Sequence, residues 1–259
     1  MEKKLGLPKS MKDAVTHYCP GCGHGVIHRI VAEVIDELNI REITIGVAPV
    51  GCAVLAYDYL DIDMAEAPHG RTPAVATGIK RVQPDKIVFT YQGDGDLAAI
   101  GTGEIVHTAA RGENITTIFV NNAVYGMTGG QMAPTTLLKQ KTETTPFGRE
   151  AKCAGFPLRV PEMLKSLEGA VYLARETVIS PKNIIRLKKY IRKAFDMQIN
   201  RRGFSLVEIL SPCPTNLRLS PIDSYDWVAK NMIPYYPLGE IKDDSQQKTE
   251  DKIQKKSDI

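Results

Sequence analysis

Apolar residues recur at Ile27, Ile30, Val31, Val34, Ile35 and Leu38, the spacing of one helix face, and predict a helix over 26–38 that stops at Asn39. Residues 41–47 alternate with β-branched side chains and run into Pro49-Val50-Gly51-Cys52, a strand that ends in a tight turn. A short helix over 73–82 precedes a compact apolar strand over 86–91, which leads into Gly93-Asp94-Gly95-Asp96. The next segment, 97–111, has small residues on one face (Ala98, Ala99, Gly101, Ala109, Ala110) and reads as helix; 115–120 is again an apolar strand, ending at Asn121-Asn122. Further on, 171–178 reads as a strand, 181–200 as an amphipathic basic helix opened by Pro181, and 204–210 as a closing strand before Ser211-Pro212-Cys213-Pro214. Strands alternating with helices of about 10 to 15 residues predict an α/β fold, a doubly wound and mostly parallel sheet with helices on both faces.

Two stretches fall outside this rhythm. Residues 125–149 carry many Gly, Pro and Thr without sustained periodicity, and an ordered loop of that length points to function. After Gly239 the chain is rich in Glu, Lys, Asp, Ser and Gln, so 241–259 reads as a solvated tail or a partner-docking extension. The organisation expected is an N-terminal extension over 1–18, a binding domain over 19–218, and a C-terminal extension over 219–259 that is flexible from about 240.

Composition narrows the function classes. A chain of 259 residues with 43% hydrophobic content buries a full core. Lys plus Arg (33) nearly balances Asp plus Glu (30), and that small, spread excess argues against nucleic acid as a partner. No apolar run long enough for a membrane span occurs, and no secretion signal is evident, so a soluble cytoplasmic protein is expected. In that compartment cysteines stay reduced and serve metals or catalysis.

Asp94 lies between glycines at the end of a strand, where backbone N–H groups and a following helix N-terminus suit a phosphate. Asn122 ends the next strand, so the two side-chain oxygens emerge at one sheet edge and together suit magnesium. The alternative is a helix cap at Asp94 and a simple turn at Asn122. Cys19 and Cys22 frame the sequence Cys-Pro-Gly-Cys-Gly-His, a spacing that suits tetrahedral zinc as well as an iron–sulfur cluster. Cys52 and Cys213, each after a strand, would complete a four-thiolate set closed by the whole fold. Cys153 has no motif around it and reads as a bystander; His24 reads as a cap or a cofactor contact, and His17, His28 and His107 as structural.

CPGCGH at 19–24, GVAPVGC at 46–52, AxHGRxxxxATGIK at 67–80, YQGDGD at 91–96 and NNxxYGMTGGQ at 121–131 occur in order. With these motifs the chain resembles the β subunit of the 2-oxoacid:ferredoxin oxidoreductases. The resemblance implies a thiamine diphosphate-binding domain of the pyrophosphate type and one 4Fe-4S cluster. By it, Cys19, Cys22, Cys52 and Cys213 ligate the cluster, and Asp94, Asn122 and the Val124 carbonyl hold Mg2+. Val50, Gly51, Cys52, Ala53, Gly95, Asp96, Gly126 and Met127 line the cofactor, and His69 and Arg71 are candidate contacts to cofactor or substrate.

The implied reaction is oxidative decarboxylation of a 2-oxoacid with coenzyme A, giving an acyl-CoA, carbon dioxide and reduced ferredoxin, with the cofactor carrying the carbanion chemistry. The glutamate that activates the cofactor would come from an α subunit with the pyrimidine-binding domain; further small subunits are compatible with the same assembly. Val54, Leu55 and Met127 suggest an apolar pocket and tilt the substrate toward branched-chain 2-oxoisovalerate, with 2-oxoglutarate next and pyruvate behind. Two other readings stay open: a non-redox thiamine diphosphate enzyme subunit with a structural zinc, and a zinc-stabilised binding module without catalysis.

Overall fold

The densest apolar runs become the centre of a single sheet. A computed structural model describes residues 6–245. In it β1 (Thr44–Pro49), β2 (Asp63–Ala67), β3 (Ile87–Gly93), β4 (Thr116–Asn121), β5 (Ala170–Thr177), β6 (Phe204–Leu210) and β7 (Gly239–Asp243) pair in the order β2-β1-β3-β4-β6-β5-β7. Neighbouring strands are parallel throughout, except that β7 runs antiparallel to β5. Every residue of β4, β5 and β6 is buried, as befits strands covered on both faces.

The helices are α1 (His24–Glu37), α2 (Ala56–Tyr59), α3 (Thr72–Val82), α4 (Thr102–Ala110), α5 (Ala151–Ala154), α6 (Val160–Leu164), α7 (Pro181–Ile199), α8 (Pro214–Leu217), α9 (Pro221–Trp227) and α10 (Ile233–Tyr235). Because side chains alternate along a strand, each strand feeds two cores. Phe89, Tyr91, Ile118 and Val120 face one side, where Ile27, Val31 and Ile35 of α1 meet Leu187, Ile191 and Phe195 of α7. Val88 and Phe119 face the other, against Ala76 of α3, Ile105 and Ala109 of α4, and Leu164 of α6. The expected stripe of α1 is fully used: Ile27, Ile30, Val31, Val34 and Ile35 are at most 3% exposed, each worth about 1.5–3 kcal/mol of burial. Pro181 occupies the first turn of α7, and the Ser180 hydroxyl caps it by accepting from the Asn183 N–H.

Several expectations need correction. The first residues of the strand expected over 41–47, Arg41–Ile43, form a 3₁₀ turn. The helix expected over 97–111 is preceded and partly replaced by a π-helical turn over Asp96–Ile100, closed by the Gly101 N–H donating to the Asp96 carbonyl at 2.9 Å. The chain after Gly239 is not all tail: 239–243 is the edge strand β7, held by its ladder to β5 and by Lys193, which bridges Glu240 and Asp243. The remainder of the expected tail, from 246 on, lies outside the described residues. The segment before Cys19 packs as well, with the Ser10 hydroxyl donating to Asp36 at 2.6 Å. Among the described residues no helix is long and apolar enough to cross a membrane.

Topology decides where a ligand can sit. From β1 the chain goes outward to β2, then returns through α3 to β3 on the opposite side of β1. The loops leaving β1 and β3 therefore diverge, and a crevice opens at their carboxyl ends.

Candidate cofactor and metal site

That crevice is a cavity of about 550 Å³. Its floor is the turn after β3. Asp94 is 2% exposed; its Oδ1 accepts from the Gly95 N–H at 2.9 Å and its Oδ2 from the Thr135 hydroxyl at 2.6 Å. Burial pushes the Asp94 carboxyl up to about 6, a cost that a bound cation would remove. On the neighbouring strand Asn122 enters a tight turn in which Ala123 takes a left-handed backbone, φ 60°. The Asn121 side chain accepts from the Ala123 N–H at 3.0 Å, and the Asn122 side chain from the Val124 N–H at 3.2 Å. Asp94, Asn122 and Val124 all line the cavity, giving a hard oxygen set of the kind magnesium takes.

The cavity walls are pared back to backbone. A methyl on Gly95 would stand 2.4 Å from the Tyr125 ring, and one on Gly126 would stand 3.3 Å from Cys52 Sγ and 3.6 Å from Cys213 Sγ. Val50, Gly51, Cys52 and Ala53 form the opposite wall, and Asp96, Met127 and His24 complete it. His69 joins them, its Nδ1 donating to the Val50 carbonyl at 2.9 Å and lying 3.2 Å from the Asp96 carboxylate. Asp96 clamps this corner, accepting from the Gly70 N–H at 2.5 Å and from the Gln92 amide at 2.6 Å.

Arg71 does not join the cavity; it is half-exposed and pairs with Glu104 at the start of α4. Val54 and Leu55 are likewise absent from the lining, which leaves Met127, Val50 and Ala53 as its apolar side chains beside Pro49 and Val124.

Four sulfurs gather beside the cavity from three distant places. Cys19 and Cys22 share a turn, with the Cys22 N–H donating to the Cys19 carbonyl at 3.0 Å, and the Gly23 N–H then donates to Ser211 Oγ at 3.2 Å. That bond docks the loop before α1 onto the segment after β6, which carries Cys213. Cys52 approaches from β1 and faces Cys213 across Gly126. Burial, reinforced by the neighbouring thiols, pushes Cys22 up to about 11 and Cys52 up to about 12. Such thiols ionise only with a cation to meet them, which is the behaviour of soft metal ligands. The four thiols act on one another, Cys22 with Cys19 and Cys213 and Cys52 with all three, and among the described residues no three His, Cys, Asp or Glu side chains converge on a single-ion site. Cys153 is exposed on α5, apart from them.

Some supporting residues carry no sequence signal. Arg149 is 4% exposed and its guanidinium donates to six carbonyls, those of Ala133, Pro134, Thr136, Ala154, Gly155 and Phe156, which sets the long loop after β4 without any helix or strand. Thr135, in a loop, and Asn216, in the short helix α8, belong to no motif and are recognisable only once the fold brings them to Asp94 and Cys213.

Residues 49–209 match the thiamine pyrophosphate enzyme, C-terminal TPP binding domain. The ketoisovalerate oxidoreductase subunit VorA of Methanothermobacter thermautotrophicus is 46% identical over 94% of this chain, which covers 51% of that protein. The 2-oxoglutarate synthase subunit KorB of Methanocaldococcus jannaschii is 37% identical over 93% of this chain and 87% of its own length. The chain thus spans about half the length of the VorA relatives it matches and most of the KorB relative. A solved 2-oxoglutarate:ferredoxin oxidoreductase from Magnetococcus marinus, with 2-oxoglutarate, coenzyme A and succinyl-CoA bound, superimposes with a TM-score of 0.79 at 27% identity, covering 99% of this chain and 91% of that one. The doubly wound sheet, the cavity at its switch point and these similarities agree: the chain belongs to the thiamine pyrophosphate-binding subunits of the 2-oxoacid:ferredoxin oxidoreductase family.

Proposed function

We propose that this chain, joined to a partner subunit in the cytoplasm, oxidatively decarboxylates a 2-oxoacid with coenzyme A to an acyl-CoA, carbon dioxide and reduced ferredoxin. The observation that carries this reading is that Gly126, in the cavity wall shared with Asp94 and Asn122, backs onto the sulfurs of Cys52 and Cys213, so the candidate oxygen and thiol donors border one wall. Thiamine diphosphate would supply the carbanion chemistry when bound, and a 4Fe-4S cluster would supply a one-electron acceptor beside it.

Asp94, Asn122 and the Val124 carbonyl would hold Mg2+ and with it the diphosphate. Cys19, Cys22, Cys52 and Cys213 would hold the cluster. The ferredoxin-linked chemistry of the family, which needs a one-electron carrier, supports a cluster over redox-inert zinc. Val50, Ala53 and Met127 would cover the reacting end once a partner closes the cavity, and His69, tied to the Val50 carbonyl, stands beside it. Arg71, tied to Glu104, is left with a role in fixing the loop.

The half-exposed apolar side chains of Val50 and Met127 in the lining support a partner subunit that covers the open side and brings the activating carboxylate. The apolar side chains of Val50, Ala53 and Met127 in the lining favour an uncharged branched chain over a dicarboxylic acid, and the VorA relatives, named for ketoisovalerate, point the same way to 2-oxoisovalerate. The second reading, 2-oxoglutarate, is supported by the KorB relatives that this chain covers over most of their length.

The test is anaerobic co-production with the partner subunit, then viologen reduction with coenzyme A across 2-oxoisovalerate, 2-oxoglutarate and pyruvate. Reduction fastest with 2-oxoisovalerate is expected; reduction with none of the three overturns the activity, and a colourless zinc-containing protein overturns the cluster.

A further inference from the structure

Asn216 sits one turn into α8, directly after Cys213. Its Nδ2 donates to the Gly126 carbonyl at 3.1 Å and to Cys213 Sγ at 3.2 Å. Both neighbours accept, which fixes the orientation of the amide. Its Oδ1 faces the other way, toward Gly130, where a methyl group would approach to 2.6 Å. Gly126 in turn lines the cavity and backs onto Cys52. One amide therefore ties Cys213 to the loop that forms the cofactor wall, and among the described residues no other acceptor engages its N–H groups.

We infer that Asn216 is a positioning residue that sets the reduction potential of the cluster, through an N–H···S hydrogen bond to Cys213 held in place by Gly126. The inference rests on the cluster reading above. One-electron reduction adds a negative charge shared by irons and sulfurs, and a donor already aimed at one sulfur stabilises the reduced form more than the oxidised one. Because the donor is also bonded to the cavity loop, the loop and the cluster ligand are mechanically one unit.

The experiment is a potentiometric titration of the full chain, purified anaerobically and followed by electron paramagnetic resonance, for the wild type, Asn216→Leu and Asn216→Asp. Leu removes the donor at similar volume; Asp keeps the shape and replaces the donor with negative charge. At the wild-type midpoint the reduced-to-oxidised ratio is expected to fall about tenfold in Asn216→Leu, a downward shift of about 59 mV for a one-electron couple, and further in Asn216→Asp, with iron content unchanged. If Asn216→Leu loses its iron, Asn216→Asp alone decides. An Asn216→Asp chain with wild-type iron and a wild-type midpoint overturns the inference. A wild-type chain without iron overturns the cluster reading itself, and this inference with it, before any variant is compared.

Discussion

Arg175 and Glu208 form an ion pair with both side chains wholly excluded from solvent, the guanidinium Nε donating to the carboxylate at 2.5 Å. Its consequence reaches the cofactor site. The other Glu208 oxygen accepts from the Asn121 amide at 2.7 Å, and Asn121 holds the Ala123 N–H in the turn that presents Asn122. Arg175 also lies under the Tyr236 ring, 5.3 Å from its centroid; the Tyr236 hydroxyl donates to the Thr135 carbonyl, and Thr135 holds Asp94. Both candidate magnesium ligands thus hang from one buried charge. Burial pulls the Arg175 guanidinium down, but Glu208 and Glu162 beside it more than offset this and keep it charged.

Removing that charge should therefore cost both stability and metal binding. Arg175→Met leaves Glu208 buried without its partner, a loss of about 3–5 kcal/mol. The paired change Arg175→Met with Glu208→Leu should recover much of that stability but not the Asn121 bond, so Mg2+-dependent binding of thiamine diphosphate stays weak. Denaturant unfolding and calorimetric titration of the two variants separate the effects. A double variant as unstable as the single one would show that the pair's charge is not what matters.

Gly95 makes a sharper claim about shape. Its backbone, φ −64° and ψ −24°, suits any residue, so alanine brings no strain, only a methyl 2.4 Å from the Tyr125 ring. The ring must move, and with it the loop held by the Tyr125 and Gln131 backbone bridge. Thiamine diphosphate affinity is expected to fall about tenfold in Gly95→Ala, about 1.4 kcal/mol, with the melting temperature little changed. Unaltered affinity would place the cofactor elsewhere.

The cysteines are separable by iron content. Cys213→Ala removes one of the four thiols and should abolish the brown colour and the bound iron. Cys153→Ser, on exposed α5, should retain about four irons per chain, as four thiolates predict. Iron lost equally from both variants would mean that the four thiols are not the site.

What the chain revealed beforehand follows from where its information lies. The strands β3, β4 and β6 were legible because a strand buried on both faces is apolar over most of its length, and its polar exceptions, such as Glu208, are paired inside. The edges were not: β2 is Asp-Met-Ala-Glu-Ala and β7 is Gly-Glu-Ile-Lys-Asp, with a single β-branched residue between them, and each owes its extended form to the neighbour it pairs with. In the site, Asp94, Asn122 and the CxxC pair announce themselves by spacing and by flanking glycines. Arg71 had the same kind of signal but is drawn to Glu104, a contact that only the packing of α3 against α4 creates. Arg149, Thr135 and Asn216 had none, because a polar residue in a loop or a single helical turn is neutral until the fold decides which carbonyl, carboxylate or thiol it meets.

Acid should weaken the fold through two histidines beneath the thiols. His28 is 1% exposed, packed among Tyr18, Tyr59 and Tyr91, with Nε2 bonded to the Tyr18 hydroxyl at 2.8 Å. Burial, together with the nearby His24 and His17, lowers it to about 3, and burial lowers His24 likewise to about 3. In the unfolded chain each titrates near 6.5, so as pH falls below that value the unfolded state takes up protons that the native state refuses. Stability is therefore fully present above about pH 6.5 and is lost toward about pH 3, by about 1.4 kcal/mol per pH unit for each histidine. His28→Gln keeps an acceptor for Tyr18 but cannot titrate, and should remove one proton's worth of that slope. Buried Asp94, raised rather than lowered, acts in the opposite sense, but it is common to both chains and cancels in the difference. Denaturant unfolding at a series of pH values between about 5 and 7 measures it, and parallel curves for wild type and His28→Gln would mean that His28 protonates in the folded chain as readily as in the unfolded one.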